Sequence, residues 1–371
     1  MADSRRMGCA VVLGGYGNFG RRIVGALAAD REHRVIVAGR DAQQARAVAD
    51  AVGSPAEPAV LDGRSPEFAA ELRRFGASVV VHAAGPFQGQ DYFVPRACIE
   101  ARAHYVDLAD ARGYVCGIQT LDATARSNDV LVVSGASSVP ALSSAAVDRL
   151  RAHFSKIESI EHGITSGAKP PGLAAMEGVL GYVGKPIAQW REGVVRTAYG
   201  WQDLTRRRYP QPVGARWLGN CDVPDLELFP QRYAPVRTVV FRAGVAMRVS
   251  MFATWAASWL VRAGVMKSLR PYVPSLRSAA LAIERFGSKC SGMHVTVQGL
   301  DQRSQPTTRT WWLLAGSNHG PQVPCFPAIA LARKILRGEI RTRGAMPCMG
   351  LLTLDEILAV GSELDLRTLE E

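Results

Sequence analysis

Gly14, Gly17 and Gly20 stand three residues apart in the run GGYGNFG, and Gly15, Gly17 and Gly20 also satisfy the spacing G-x-G-x-x-G. The run follows a short apolar stretch, Cys9 to Leu13, and opens a helix-like stretch, Arg21 to Asp30. The chemistry of such a turn is anion binding. One glycine permits the tight turn, a second lets backbone approach a pyrophosphate with no Cβ in the way, and a third lets helix pack on strand. The intervening Tyr16, Asn18 and Phe19 belong to the same turn. The free N–H groups and partial positive charge of the helix start then face the phosphates. A glycine-rich turn without a ligand is the plain alternative. Strand, turn, helix and second strand in register argue against it.

The second apolar stretch, Arg34 to Ala38, ends in Ala38-Gly39-Arg40. A site for NAD usually places Asp or Glu here to hold the ribose hydroxyls. Arg40 instead suits the 2′-phosphate of NADP, a dianion that a guanidinium binds in fork geometry. Asp41 reads as the N-cap of the next helix. Asp62, after the third strand, either lies near the adenine or caps its own turn. The fourth strand ends in Ala83-Ala84-Gly85-Pro86-Phe87, where the small Ala84, Gly85 and Pro86 would let a nicotinamide ribose lie against backbone. The fifth ends in Tyr105-Val106-Asp107-Leu108-Ala109-Asp110. Carboxylates at the carboxyl end of a central strand fall where substrate chemistry occurs. Asp107 is therefore expected to face the crevice, and Asp110 to cap the helix that follows. Asp107 and Tyr92 are the candidate catalytic residues, with His82 and Tyr105 as further proton handlers. His82 reads better as a buried strand residue. The pattern Y-x-x-x-K of short-chain dehydrogenases is absent, since Tyr182 and Lys185 have the wrong spacing.

These residues need a scaffold, and the hydropathy pattern supplies one. Short strands are expected at 9–13, 34–38, 59–61, 78–83, 104–108 and 130–134. Helices are expected between them at 21–30, 42–52, 67–75, 93–103 and 114–127. That alternation implies βαβ units, a parallel sheet and a ligand at its carboxyl edge. The predicted class is α/β: a Rossmann doubly wound parallel sheet over 1–140, a second α+β domain over 141–320, and a C-terminal helical segment, 321–371, returning to the Rossmann side. In the second domain 157–164 reads as an open-faced strand, 172–183 as helix and 203–235 as irregular, because it is rich in Arg and Pro. Met293–Gly299 and Thr308–Leu314 read as a strand pair. Helices are expected at 327–337 and 354–360, the latter capped by Thr353 with Glu356 in the box position.

Composition bounds the partners. The chain has 371 residues, 47% hydrophobic and 21% charged, as expected for globular protein with a real core. The net charge is +11, with 38 Arg and six Lys. The longest basic cluster is Arg206-Arg207-Arg208 and no zinc-finger spacing occurs, so no nucleic-acid partner is expected. The seven Cys are scattered with no C-x-x-C, which favours a reducing, cytoplasmic compartment. No metal-ligand spacing occurs among the seven His, so no metal is expected. The N-terminal MADSRRMGCAVVLGG reads as lacking a signal peptide. Residues 249–261 (VSMFATWAASWLV) are uncharged between Arg248 and Arg262. Thirteen residues are too few to span a bilayer. The segment reads as a buried helix or subunit contact, or as a peripheral membrane helix with two Trp and basic flanks.

Together GGYGNFG, AGR, HAAGPFQGQDYFVPRACIEARAHYVDLAD and SGASSVPALSS resemble the NADP-binding domain of the saccharopine dehydrogenase-like family. The later run GPQVPCFPAIALARKILRGEIRTRGAMPCMGLLTLDE is also similar to members of that family. The resemblance implies a Rossmann domain, an α+β substrate and dimerisation domain, and a C-terminal return segment. It implies hydride transfer, often to an imine, with NADP held by Gly14, Gly17, Gly20 and Arg40, and by Gly85 and Pro86. A homodimer acting on a small molecule follows from the same resemblance. Three functions remain open at this stage: an NADP(H)-dependent oxidoreductase acting on an imine, carbonyl or enoyl group, a lipid- or membrane-associated reductase, and a non-catalytic NADP(H)-binding protein.

Overall fold

A computed structural model describes residues 8–371. Residues 1–7, the start of the 1–140 domain and of the stretch read as lacking a signal peptide, lie outside the described residues. Two compact units emerge. One holds the described residues up to Leu142 together with Pro324–Val360, and the other holds Ser143–Val323 with Gly361–Glu371.

The first unit is a doubly wound α/β fold. Its elements are β1 (Cys9–Leu13), α1 (Gly20–Ala29), β2 (Arg34–Gly39), α2 (Ala42–Val52), β3 (Ala56–Val60), α3 (Phe68–Phe75), β4 (Val79–His82), α4 (Phe93–Glu100), β5 (His104–Asp107), α5 (Arg112–Gly117), α6 (Asp122–Ser127) and β6 (Leu131–Ser134). All its strands pair in parallel, in the order β3-β2-β1-β4-β5-β6. The reversal of strand order beside β1 opens a crevice between the carboxyl ends of β1 and β4, where such sheets bind ligands. β1, β4 and β6 are buried at every residue, as a sheet covered on both faces requires. One face packs Leu13, Ile36, Leu61, Phe68, Leu72, Ile99 and Tyr105 into a continuous core.

The second unit begins with α7 (Ser143–Leu150), β7 (Lys156–Ser166), α8 (Leu173–Gly181), β8 (Pro186–Arg191), β9 (Val194–Tyr199), β10 (Thr205–Arg208) and β11 (Ala215–Asn220). It continues through α9 (Asp225–Arg232), β12 (Thr238–Val245), α10 (Arg248–Arg262), α11 (Val273–Ile283), β13 (Ser291–Leu300) and β14 (Pro306–Ala315). The chain then returns to the first unit with α12 (Phe326–Leu336), β15 (Gly344–Pro347) and α13 (Leu354–Ala359), and ends in β16 (Leu366–Glu370). β15 joins the parallel sheet beside β6. Arg333 of α12 fixes that return, donating to both oxygens of Asp30 at 2.8 Å and to the Ala26 carbonyl at 3.0 Å. Thr353 and Glu356 form the expected capping box on α13. β16 instead pairs antiparallel with β14 in the second unit.

The second sheet is mixed, in the order β10-β11-β12-β7-β13-β14-β16, with the β8–β9 hairpin branching from β12. β12 and β7 are its parallel pair. A bulge at Gln298/Gly299 relaxes the β13–β7 register. A Cβ at Gly299 would stand 2.0 Å from the Lys156 carbonyl oxygen, so glycine is required there. Polar groups in this core are tied to one another. The buried Asp225 accepts from Ser143 Oγ at 2.5 Å and bonds His162 Nε2 at 2.9 Å, joining α7, α9 and β7. Tyr209 and the buried His294 bond at 2.9 Å.

Two expectations change. Residues 203–235 are not irregular, since they contain β10, β11 and α9. Their arginines belong to structure: Arg207 donates to Thr296 Oγ1 at 2.6 Å and lies over the Trp312 ring, with its stem and plane serving as packing surface. The segment 249–261 is not a buried helix. It forms most of α10, in which only Met251 and Ser258 are buried.

Candidate functional site

The glycine turn is closed by backbone contact that no side chain would allow. Gly14 adopts φ +82°, in the left-handed region that glycine enters without strain. A Cβ at Gly20 would lie 2.1 Å from the Gly14 carbonyl oxygen, and one at Gly15 would meet Val37 at 2.9 Å. Gly14 and Gly15 both donate to the Ala38 carbonyl, at 2.8 and 3.0 Å. The turn is thereby pinned across the ends of β1 and β2. Gly17 is different. A Cβ there would touch only the Gly14 carbonyl oxygen, at 3.1 Å, with otherwise open space around it. This is the cradle a phosphate needs, and it is the position a Cβ would fill.

The electrostatics of the turn agree. α1 has no side-chain cap. Among the described residues the amides of Asn18, Phe19 and Gly20 donate to no protein acceptor. The carbonyls are taken up on the other side: Arg21 donates to Tyr16 and Gly17, and Arg22 donates to Asn18 at 2.8 Å. The turn thus turns its donors outward and neutralises its acceptors, which is the arrangement that holds an anion.

Arg40 is exposed just beyond β2 and has no hydrogen bond or ion pair among the described residues. Tyr16 lies beside it. Its ring covers Gly39, where a Cβ would come within 2.3 Å of the ring, and its hydroxyl accepts from the Asp41 amide at 3.3 Å. Asp41 caps α2 through Gln43 and Gln44 at 3.0 Å. Asp62 accepts from the Arg64 amide at 3.0 Å and so closes its own turn. Ala84, exposed at the exit of β4, packs against Gly14. The loop it opens is held by Gln90, which donates to the Ala84 and Pro86 carbonyls at 3.1 and 2.7 Å. Gly85 and Pro86 are half-buried in that loop. The glycine turn, Arg40 and the Ala84–Pro86 loop therefore gather around the carboxyl ends of β1, β2 and β4.

The expected catalytic pair is taken up in packing at the neighbouring strand end. Asp107 does not face an open crevice; its relative exposure is 0%. Its Oδ1 accepts from the Gly135 amide at 2.8 Å, the Ala109 amide at 2.9 Å and the Ser134 hydroxyl at 3.0 Å, stitching the end of β5 to the end of β6. Oδ2 has no partner. Burial pushes this carboxyl up to about 6, against the pull of those donors. Tyr92 donates to the Tyr114 carbonyl at 2.8 Å and packs on the Tyr114 ring. His82 Nδ1 bonds the Tyr105 hydroxyl at 2.9 Å, and Tyr105 bonds Tyr114 at 3.1 Å. Burial lowers His82 to about 4, so it is neutral at physiological pH. These side chains form one packed polar cluster under β4 and β5.

Sequence reasoning passed over Asp110. The expectation that it caps the next helix fails: α5 has Ala111 at its N-cap and no side-chain cap. Asp110 is instead half-buried, and Gln88 from the β4 exit loop donates to it at 3.2 Å. Burial raises its carboxyl above the usual range. A carboxyl on the loop after a central strand, held by a neighbouring loop and slow to ionise, is suited to proton transfer.

Residues 10–134 match the family model described as the saccharopine dehydrogenase NADP binding domain. No curated protein matches the chain. Among solved structures, apo saccharopine dehydrogenase (L-Glu forming) from Saccharomyces cerevisiae superposes with TM-score 0.70 at 14% identity, covering 98% of this chain and 100% of that one. The homospermidine synthase of Legionella pneumophila, in complex with NAD, superposes with TM-score 0.61 at 10% identity, covering 98% and 91%. Residues 10–134 are thus similar to that dinucleotide-binding domain, and the full length of the chain shares the fold of these two structures.

Two predictions follow from the geometry. Gly17→Ala will change stability by less than about 1 kcal/mol yet weaken nicotinamide dinucleotide binding at least about tenfold. Gly20→Ala must displace the turn and will cost at least about 2 kcal/mol of stability. Urea unfolding and fluorescence titration read the two effects separately. Asp107→Asn keeps an acceptor oxygen for the same donors and removes ionisation. A carboxyl raised from 3.8 to about 6 in the fold contributes stability below about pH 4 that is lost as pH rises through about 6. Wild type should therefore lose about 3 kcal/mol relative to the variant between about pH 4 and about pH 7. Parallel stability curves for the two proteins would contradict this.

Proposed function

We propose that this protein is an NADP(H)-dependent oxidoreductase that moves a hydride to or from an imine, carbonyl or enoyl carbon of a small molecule. The observation that carries the proposal is the pairing of an open glycine position, Gly17, and three unpaired turn amides with an unpartnered cation, Arg40, one strand away. The first pair fits a pyrophosphate and the second a 2′-phosphate. The bound nicotinamide would supply the hydride chemistry itself.

The chain's own residues would bind, orient and deliver a proton. Asn18, Phe19 and Gly20 would donate to the pyrophosphate, and Arg40 with the neighbouring Tyr16 would receive the adenosine end. The loop Ala84-Gly85-Pro86, small and held by Gln90, would leave room for the nicotinamide ribose. Asp110, kept protonated to higher pH by burial, is the residue we assign as proton donor, in place of the buried Asp107 and of Tyr92, whose hydroxyl is spent on the Tyr114 carbonyl.

Arg40→Ala should raise the Kd for NADPH about 10- to 100-fold, the loss of a charge-assisted pair, and change the Kd for NADH by less than about twofold. Fluorescence titration of both nucleotides checks this. Equal losses for the two would remove the NADP preference, and no binding of either by wild type would end the oxidoreductase reading. With any substrate that consumes NADPH, Asp110→Asn should lower kcat by about 100-fold or more with NADPH affinity intact. Unchanged kcat would exclude Asp110 as the donor.

A further inference from the structure

α10 is folded inside out. A surface helix normally turns its apolar stripe inward and its polar stripe to water. Here the inward positions include Met251 and Ser258, fully buried, and Thr254 and Ala257, half-buried, so Met251 is the one large apolar side chain that the helix buries. The hydroxyls of Ser258 and Thr254 are satisfied within the helix, on the carbonyls of Trp255 and Ser250. The helix backbone is closely packed here: a Cβ at Gly184 would fall 2.3 Å from the Ser258 carbonyl oxygen, so glycine is required at that position. The outward positions carry Val249 (71% exposed), Phe252 (40%), Trp255 (37%), Trp259 (46%) and Leu260 (47%). Placing these apolar groups in water forgoes about 25 cal/mol for each Å² left uncovered.

The neighbouring helices continue the surface. α8, α10 and α11 share one small core built on Leu180, Met251 and Val273. Beyond it Leu173, Val265, Leu276, Leu281 and Phe286 are exposed. Exposed apolar side chains gathered on helices that share one core mark a binding surface.

Charge decides what binds. Over α8 and the stretch Arg248–Lys289 there are seven Lys or Arg and two acids, Glu284 and Glu177, the latter paired with Arg270 at 3.6 Å. Two copies meeting on this face would oppose five net positive charges with five more. An acidic sheet of lipid headgroups would neutralise them, and Trp255, Trp259 and Tyr272 are the side chains that settle at a headgroup boundary. No described helix is long and apolar enough to cross a membrane. The fifteen residues of α10 span about 22 Å, short of the roughly 30 Å hydrocarbon layer. We propose that the outward face of α10, flanked by α8 and α11, docks the protein flat on an anionic lipid bilayer. The proposal is independent of the reductase reading.

The test is flotation of the full chain with phosphatidylcholine vesicles, with and without about 30% phosphatidylglycerol. Wild type should bind the anionic vesicles at about 0.05 M salt, lose most binding at about 0.5 M, and ignore the neutral ones. The double variant Trp255→Ser, Trp259→Ser should bind at least about tenfold more weakly, with its melting temperature and NADPH affinity unchanged. Leu260→Glu, an exposed position, gives a second reading with little risk to the fold. Absence of wild-type binding at low salt, or equal binding by all variants, overturns the proposal. So does a wild-type dimer in sedimentation that Leu260→Glu dissociates and that takes up no lipid.

Discussion

The candidate site depends on one approach of backbone to backbone: the first turn of α1 lying against the Gly14 carbonyl, too close for any Cβ at Gly20. That contact sets where α1 begins relative to β1. Because α1 begins there without a side-chain cap, its first amides stay free. Because the turn is anchored to Ala38 on β2, the same amides stand one strand from Arg40. Because Ala84 packs on Gly14, the loop after β4 is brought to the same edge. A larger residue at Gly20 would move all of these together, whereas one at Gly17 would occupy only the space in front of them. Packing and ligand access are thus assigned to different glycines of a single heptapeptide.

Both units place polar groups inside and satisfy them at the ends of elements. Asp107 fastens β5 to β6, and Asp225 fastens α7, α9 and β7. For Asp107 the balance can be judged. Three donors converge on one oxygen and favour the carboxylate, yet the carboxyl is still raised to about 6. Desolvation with Oδ2 unpartnered therefore outweighs the three donors. The residue specifies strand-end geometry at the expense of stability near neutral pH.

The first unit was largely legible because its strands are buried on both faces. A run such as CAVVL or LVVS needs no partner to be recognised, and the glycines between them have a single physical use. The second unit was less so. β10 reads TRRR, with no apolar residue to announce a strand; it pairs because β11 offers a ladder and because Thr296 and Trp312 receive Arg207. β9, VVRTAY, is exposed at its first four residues, so no hydrophobic alternation announces it. The 249–261 segment showed its lack of charge in sequence. Which face it turns outward depends on partners distant in the chain, Leu180 and Val273 around Met251 and the close-packed Gly184.

The same limit explains the two carboxylates after β5. Asp107 and Asp110 lie three residues apart, and sequence gives them similar claims. Their environments separate them. The first is still within the strand, under β6, where the amides of Gly135 and Ala109 reach it and water does not. The second lies past the strand, partly buried, with a single contact from Gln88 at 3.2 Å. A proton donor must reach both its substrate and a source of replacement protons. A fully buried carboxylate committed to three donors can do neither without disrupting the sheet. A carboxyl raised by burial, and held by one adaptable amide, fits the donor role proposed for Asp110. Environment rather than residue type assigns the roles, and the environment of Asp110 depends on a loop that begins at β4, more than twenty residues earlier in the chain.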